Sequence, residues 1–121
     1  MELELKFMAK DELTGKWVTG YPLKDPDVKG RWYIMNNYSD GVIVDPKTIR
    51  QYIGAEDHYG RSIYQGDILV EPSKFNERYL LIEFDWRKRL WPRFGNYQKC
   101  AIIGNVFDNP DIVDFIKRKK V

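Results

Sequence analysis

His58 is the only histidine in the chain, and it directly follows Asp57. An imidazole beside a carboxylate is the smallest set that moves a proton at neutral pH. Asp67 stands just after Gly66 and ahead of an apolar run, where a metal carboxylate is one conceivable role. The composition around these residues argues for a plainer use. Asp57-His-Tyr-Gly60 is turn-like, and a turn aspartate bonds backbone N–H groups two residues on. Asp67 and Asp108 read the same way. Scattered carboxylates without a shared short motif do not make a hydrolase centre. One histidine and one cysteine are too few for a zinc site. No catalytic residue, metal ligand or cofactor site is therefore expected, and the chain is read as a non-enzyme. Cys100 reads as a small buried hydrophobe.

Gly54, Gly60 and Gly66 recur at a spacing of six. A phosphate cradle needs a strand, a glycine loop and then a helix N-terminus. Here a strand follows, so nucleotide binding is not expected. The glycines instead suit positive φ in successive turns, in at least two of the three. Gly54, Asp57, Gly60, Gly66 and Asp67 are accordingly read as structural turn residues.

The segment from Trp86 to Arg93 is the strongest binding candidate. It interleaves Arg87, Lys88, Arg89 and Arg93 with Trp86 and Trp91 at an expected hairpin tip. Single-stranded nucleic acid is held this way, with bases stacked on rings and phosphates met by cations. The plainer alternative is a solvated basic turn with its indoles packed inward. Lys117 to Lys120 adds cations, as a helix C-terminus commonly does.

These residues must be positioned by short strands. Leu3, Leu5 and Phe7 alternate with Glu2, Glu4 and Lys6, which predicts a half-buried strand. Asp11 to Gly15 predicts a loop, and Lys16–Thr19 the second arm of a hairpin. Tyr21 to Gly30 contains Pro22, Pro26 and Gly30 and predicts a loop. Arg31–Met35 and Val42–Val44 predict a second hairpin turning at Asp40-Gly41. Asp45-Pro46 and Asn109-Pro110 are helix-start signals, predicting short helical turns near 46–50 and 110–117. Ile112, Val113, Phe115 and Ile116 supply the apolar face of the second. Gln51–Ile53, Asp67–Val70, Tyr79–Phe84 and Gln98–Ile103 predict further strands, the last broken by Gly104-Asn105. A short strand is expected inside the glycine loop as well.

Several of these stretches together resemble the YopX family of phage and prophage proteins. They are Gln51-Tyr-Ile-Gly54, Asp57, Gly60, Ile63-Tyr64 and Gly66-Asp67-Ile68, followed by Ile103-Gly-Asn-Val-Phe-Asp-Asn-Pro110. Lys6-Phe7 with Ala9 and Asp11 fits more loosely. The chain departs from the family pattern with Glu56, with His58-Tyr59 at the loop tip, with Gln65 and with Lys10. The resemblance implies a mostly-β fold with an N-terminal hairpin region and an SH3-like C-terminal barrel. It also implies a phage or prophage origin, and no particular activity.

At 121 residues the chain is expected to be one YopX-like domain, with a hairpin region over about 1–53 and a barrel region over about 54–121. One cysteine permits no internal disulfide, and no apolar run is long enough for a membrane span. The expected setting is the cytoplasm of a bacterial host, without membrane contact. The net charge of +2 gives no strong whole-molecule pull toward nucleic acid. Residues 1–72 hold 9 Lys/Arg against 12 Asp/Glu, whereas residues 73–121 hold 11 against 6, so a basic face belongs in the second half. Short strands leave open edges, which predicts a homo-oligomer. The expected function is that of an accessory or interaction protein whose partners are phage or host proteins. The alternative is a nucleic-acid-binding module built on Trp86–Arg93.

Overall fold

The computed structural model describes residues 6–36, 39–73, 76–84, 87 and 97–119. Among them, nine strands, two 3-10 turns and one α-helix form. The chain falls into two compact units, Met1–Tyr52 and Ile53–Val121.

The first unit is an antiparallel sheet. Its strands are β1 (Phe7–Lys10), β2 (Trp17–Lys24), β3 (Trp32–Asn36), β4 (Ser39–Val44) and the start of β5 (Arg50–Glu56). The order is β4-β3-β2-β1-β5. Directly paired residues share a face of the sheet. The pairs Ile34↔Val42 and Trp32↔Val44 therefore join one apolar layer. Ala9, Ile34 and Val44 are its buried centre, with Phe7, Val18, Trp32, Val42 and Ile49 around them. The end of β4 returns to the end of β1 through the bridge Asp11↔Val44 and a bond from Asp45 N to Lys10 O. A 3-10 turn, Pro46–Thr48, follows, with Lys47 N donating to the Asp45 carboxylate at 3.0 Å.

Two expectations for this unit change. Tyr21–Lys24 is not loop but the second half of β2, paired with β3. Pro22 is tolerated because the described pairing of β1 with β2 stops at Gly20, so the missing N–H removes no bond on that side. Asp40-Gly41 lies inside β4 rather than at the hairpin tip. The register shifts between Ile34 and Asn36, and a side chain at Gly41 would run into the Met35 sulfur. Leu3 and Leu5 lie outside the described residues.

The second unit holds the rest of β5, then β6 (Ser62–Tyr64), β7 (Asp67–Glu71), β8 (Arg78–Leu81), β9 (Ala101–Asn105) and the helix α1 (Pro110–Lys119). β6 stands next to β5 in the sheet order, and a separate sheet runs β8-β7-β9. Both faces of β7 are covered, which is why its apolar run does not alternate with polar residues. Leu69 packs with Ile63, Ile82 and Cys100 on one face. Ile68 packs with Leu81 and Ile116 of α1 on the other.

The mostly-β reading holds. An SH3-like closed barrel is not formed among the described residues: β8 and β9 are the outer strands of their sheet and do not pair with each other. β9 begins later than expected, after a 3-10 turn at Tyr97–Lys99, and runs through Gly104 to Asn105. A register shift between Ile68 and Leu69 absorbs the extra residue. β8 stops at Leu81, short of the expected Phe84, and just beyond it Ile82 N donates to Asp67 O while Ile82 O accepts from Gly66 N. α1 is a full ten-residue helix rather than a turn. Ile112, Val113 and Ile116 pack inward, but Phe115 is exposed, its ring edge-on to Tyr79 at 6.0 Å.

Candidate functional site

Asp57 is held by four side-chain hydrogen bonds. It directly follows β5, and its side chain is buried while the loop it opens is exposed. Oδ1 accepts from Tyr59 N and Arg61 N, both at 2.9 Å. Oδ2 accepts from Arg61 Nε at 2.9 Å and from Ile102 N at 3.1 Å. The backbone closes the same turn through Asp57 N to Arg61 O and Gly60 N to Asp57 O. Gly60, at φ +77°, makes that closure possible without a strained side chain. Burial pushes the Asp57 carboxyl up, but the donors from Ile102 and Arg61 outweigh it and hold the group below the ordinary aspartate value. A carboxylate so engaged is a fastener: its lone pairs are spent on amides and a guanidinium.

The loop is also tied to the segment before β9. His58 N donates to Cys100 O at 2.8 Å, and His58 Nδ1 lies 3.1 Å from Gln98 O. A carbonyl only accepts, so that bond uses a proton on Nδ1. Asp57 and His58 thus face different partners and do not form an acid–base pair with each other. Arg61 Nη2 reaches Ile102 O at 2.9 Å, completing a two-sided clasp on β9.

The other turn residues behave as anchors too. Asp67 is buried, and its Oδ2 accepts from Tyr64 N at 2.8 Å across the turn that contains Gly66. Gly54 and Gly66 have φ of +86° and +87°. After β9, Asn105 Oδ1 accepts from Phe107 N and Asp108 N, and Asn105 N donates to Asn109 Oδ1 at 3.1 Å. A side chain on Gly104 would collide with that same Asn109 oxygen. Val106–Asp108 is therefore a folded turn between the end of β9 and the start of α1. Burial raises the Cys100 thiol above its ordinary value and keeps it an unreactive core group.

In the first unit, Arg50 is buried with its guanidinium 4.2 Å from the Trp17 ring centre and Nη2 3.0 Å from the Met8 sulfur. No group of three or more His, Cys, Asp or Glu residues suited to a metal is found among the described residues. Of the basic and aromatic segment, Trp86, Lys88, Arg89, Trp91 and Arg93 lie outside the described residues. Arg87 is exposed.

Two residues of the loop clasp, Asp57 and Gly60, are among those the family pattern marks. The YopX protein family profile matches residues 6–114. The chain belongs to the YopX family. Within this YopX chain, the Asp57–Gly60 loop is a hydrogen-bonded turn fastened to β9 through Ile102, and the Ile103–Pro110 stretch holds the end of β9, a hydrogen-bonded turn and the start of α1. The fold is similar to the crystal structure of protein EF1440 from Enterococcus faecalis, at a TM-score of 0.59 and 21% identity. That alignment covers 93% of this chain and 99% of the other. At such identity the likeness concerns the fold alone. No curated protein matches the sequence. No helix among the described residues is long and apolar enough to cross a membrane.

Two surface features escaped sequence reasoning. One is the face of β2 that carries Tyr21 and Leu23, hidden because Tyr21–Gly30 has loop composition. Period-two recurrence of Trp17, Tyr21 and Leu23 was the available signal, obscured by Gly20 and Pro22 between them. The other is Arg61 beside Tyr59. Its spacing of four from Asp57 was the visible clue, since a turn of that length returns the chain beside its start.

Proposed function

We propose that this YopX-family chain is a phage- or prophage-encoded accessory protein that acts by binding, without catalysis, in the cytoplasm of a bacterial host. One observation carries the reading. Tyr21 and Leu23 are 57% and 53% exposed on β2. Their cross-strand partners are Met35 and Tyr33, and Tyr33 pairs onward with Ile43. All five lie on one face, opposite the layer that contains Ile34 and Val44. A sheet face of this composition is a contact surface by default. A second copy of the chain is the partner proposed for it, since identical patches close by two-fold symmetry.

Sedimentation velocity at micromolar concentration tests this. The wild-type chain is expected to associate, and Leu23→Lys to sediment as a monomer. A monomeric wild type would remove the support for self-association. The alternative reading is a nucleic-acid-binding module using Trp86–Arg93, favoured by the exposed Arg87 and the basic excess of the second half. Anisotropy of labelled single-stranded oligonucleotides at low and moderate salt tests it, with Arg87→Ala/Arg89→Ala expected to bind more weakly.

A further inference from the structure

The loop that Asp57 fastens carries an unusual tip. Tyr59 is 72% exposed, although the backbone on either side of it is pinned. The His58 ring stands edge-on to it at 5.2 Å and 82°. The Arg61 guanidinium lies 5.4 Å from its ring centre, and the Arg61 side chain is 52% exposed. Lys99 is exposed on the 3-10 turn whose Gln98 carbonyl meets His58.

Polar groups elsewhere in this loop are consumed by the fold. At the tip they are not. The bonds of Arg61 use Nε and Nη2. Among the described residues, Arg61 Nη1, His58 Nε2, Tyr59 Oη and Lys99 Nζ make no hydrogen bond. A rigid ring costs little entropy to cover, and the unspent Arg61 donor beside it suits a phosphate or a base edge.

We infer that the His58–Tyr59–Arg61 tip, with Lys99, is a stacking site for an unpaired base of single-stranded nucleic acid. The base lies on the Tyr59 ring, and the adjoining phosphate meets Arg61 Nη1 and Lys99. Asp57 already offsets much of the Arg61 charge, so the contact is led by stacking rather than by counterion release. This inference rests on reading the protein as a binding module, and it is independent of the Trp86–Arg93 segment.

The test is anisotropy of a fluorescein-labelled oligothymidine at low salt, with wild type, Tyr59→Ala, Tyr59→Phe and the Arg87→Ala/Arg89→Ala double variant. Because Tyr59 is exposed, unchanged thermal melting confirms that its variants are folded. Tyr59→Ala is expected to bind about tenfold more weakly, while Tyr59→Phe retains wild-type affinity. The salt slope lost with Lys99→Ala should be about 0.7, the share of a single phosphate on a single strand. Equal binding by Tyr59→Ala overturns the site. If the double variant alone weakens, the alternative Trp86–Arg93 reading stands without it. Loss in Tyr59→Phe as well as Tyr59→Ala overturns stacking in favour of a hydroxyl contact. No binding by wild type at low salt overturns both nucleic-acid readings and leaves the protein-binding reading intact.

Discussion

The Asp57 carboxylate joins the tip of one turn to an amide 45 positions away, on Ile102. A buried anion with four donors is stable only as a set, because removing its charge weakens every bond to it. Asp57→Asn is expected to cost about 2 kcal/mol at neutral pH, measured by urea denaturation. The pH dependence has a definite sign. The folded group sits below the ordinary aspartate value of about 3.9, so its contribution is complete above that value. It is lost as pH falls through the depressed folded value, when the native carboxylate takes up its proton. The gap between wild type and Asp57→Asn should therefore narrow below about pH 4. A gap that stays constant to pH 3 would show that Asp57 is not the ionised partner described here.

Among the elements, β2 bears the most constraint. It pairs with β1 over Trp17–Gly20 and with β3 over Tyr21–Lys24, changing partners at Gly20. A side chain at Gly20 would strike the Met35 carbonyl, which is backbone and cannot swing aside. At Gly60, by contrast, an added Cβ meets nothing within 4 Å, so only the positive φ opposes it. Gly60→Ala is thus expected to cost about 1 kcal/mol, from backbone strain alone. Gly20→Ala should cost about 3 kcal/mol, from strain plus overpacking. Equal losses in urea denaturation would contradict the close approach of β3 to Gly20. The turn residue Gly60 was legible from composition. The role of Gly20 was not, because its neighbour is supplied by pairing with a strand read as separated from it by a long loop.

For the whole molecule, each compact unit owns a core. Ile34 centres the first, with Ala9 and Val44, and Leu69 centres a cluster of the second, with Ile63, Ile82 and Cys100. Truncation of either to alanine is expected to cost about 3 kcal/mol. The cores should report separately in native-state hydrogen exchange. Ile34→Ala is expected to speed exchange first in β1–β4, and Leu69→Ala first in β7–β9. Uniform acceleration by both would show one cooperative core instead of two.

Local chemistry was enough to mark this protein as mostly β, to place most of its turns and helix starts, and to identify its family. Alternation, Asx turns and Asn-Pro starts act over a few residues, so each is written into its own segment. The tertiary structure decided what those segments are for. Ile68 and Leu69 are neighbours of one type, yet they face different clusters because β7 is covered on both sides. Phe115 belongs to the apolar helix pattern and is exposed, while Asp57 belongs to a turn and is buried. Burial and partnership depend on register between strands far apart in the chain, and no short stretch of sequence contains both sides of such a pair.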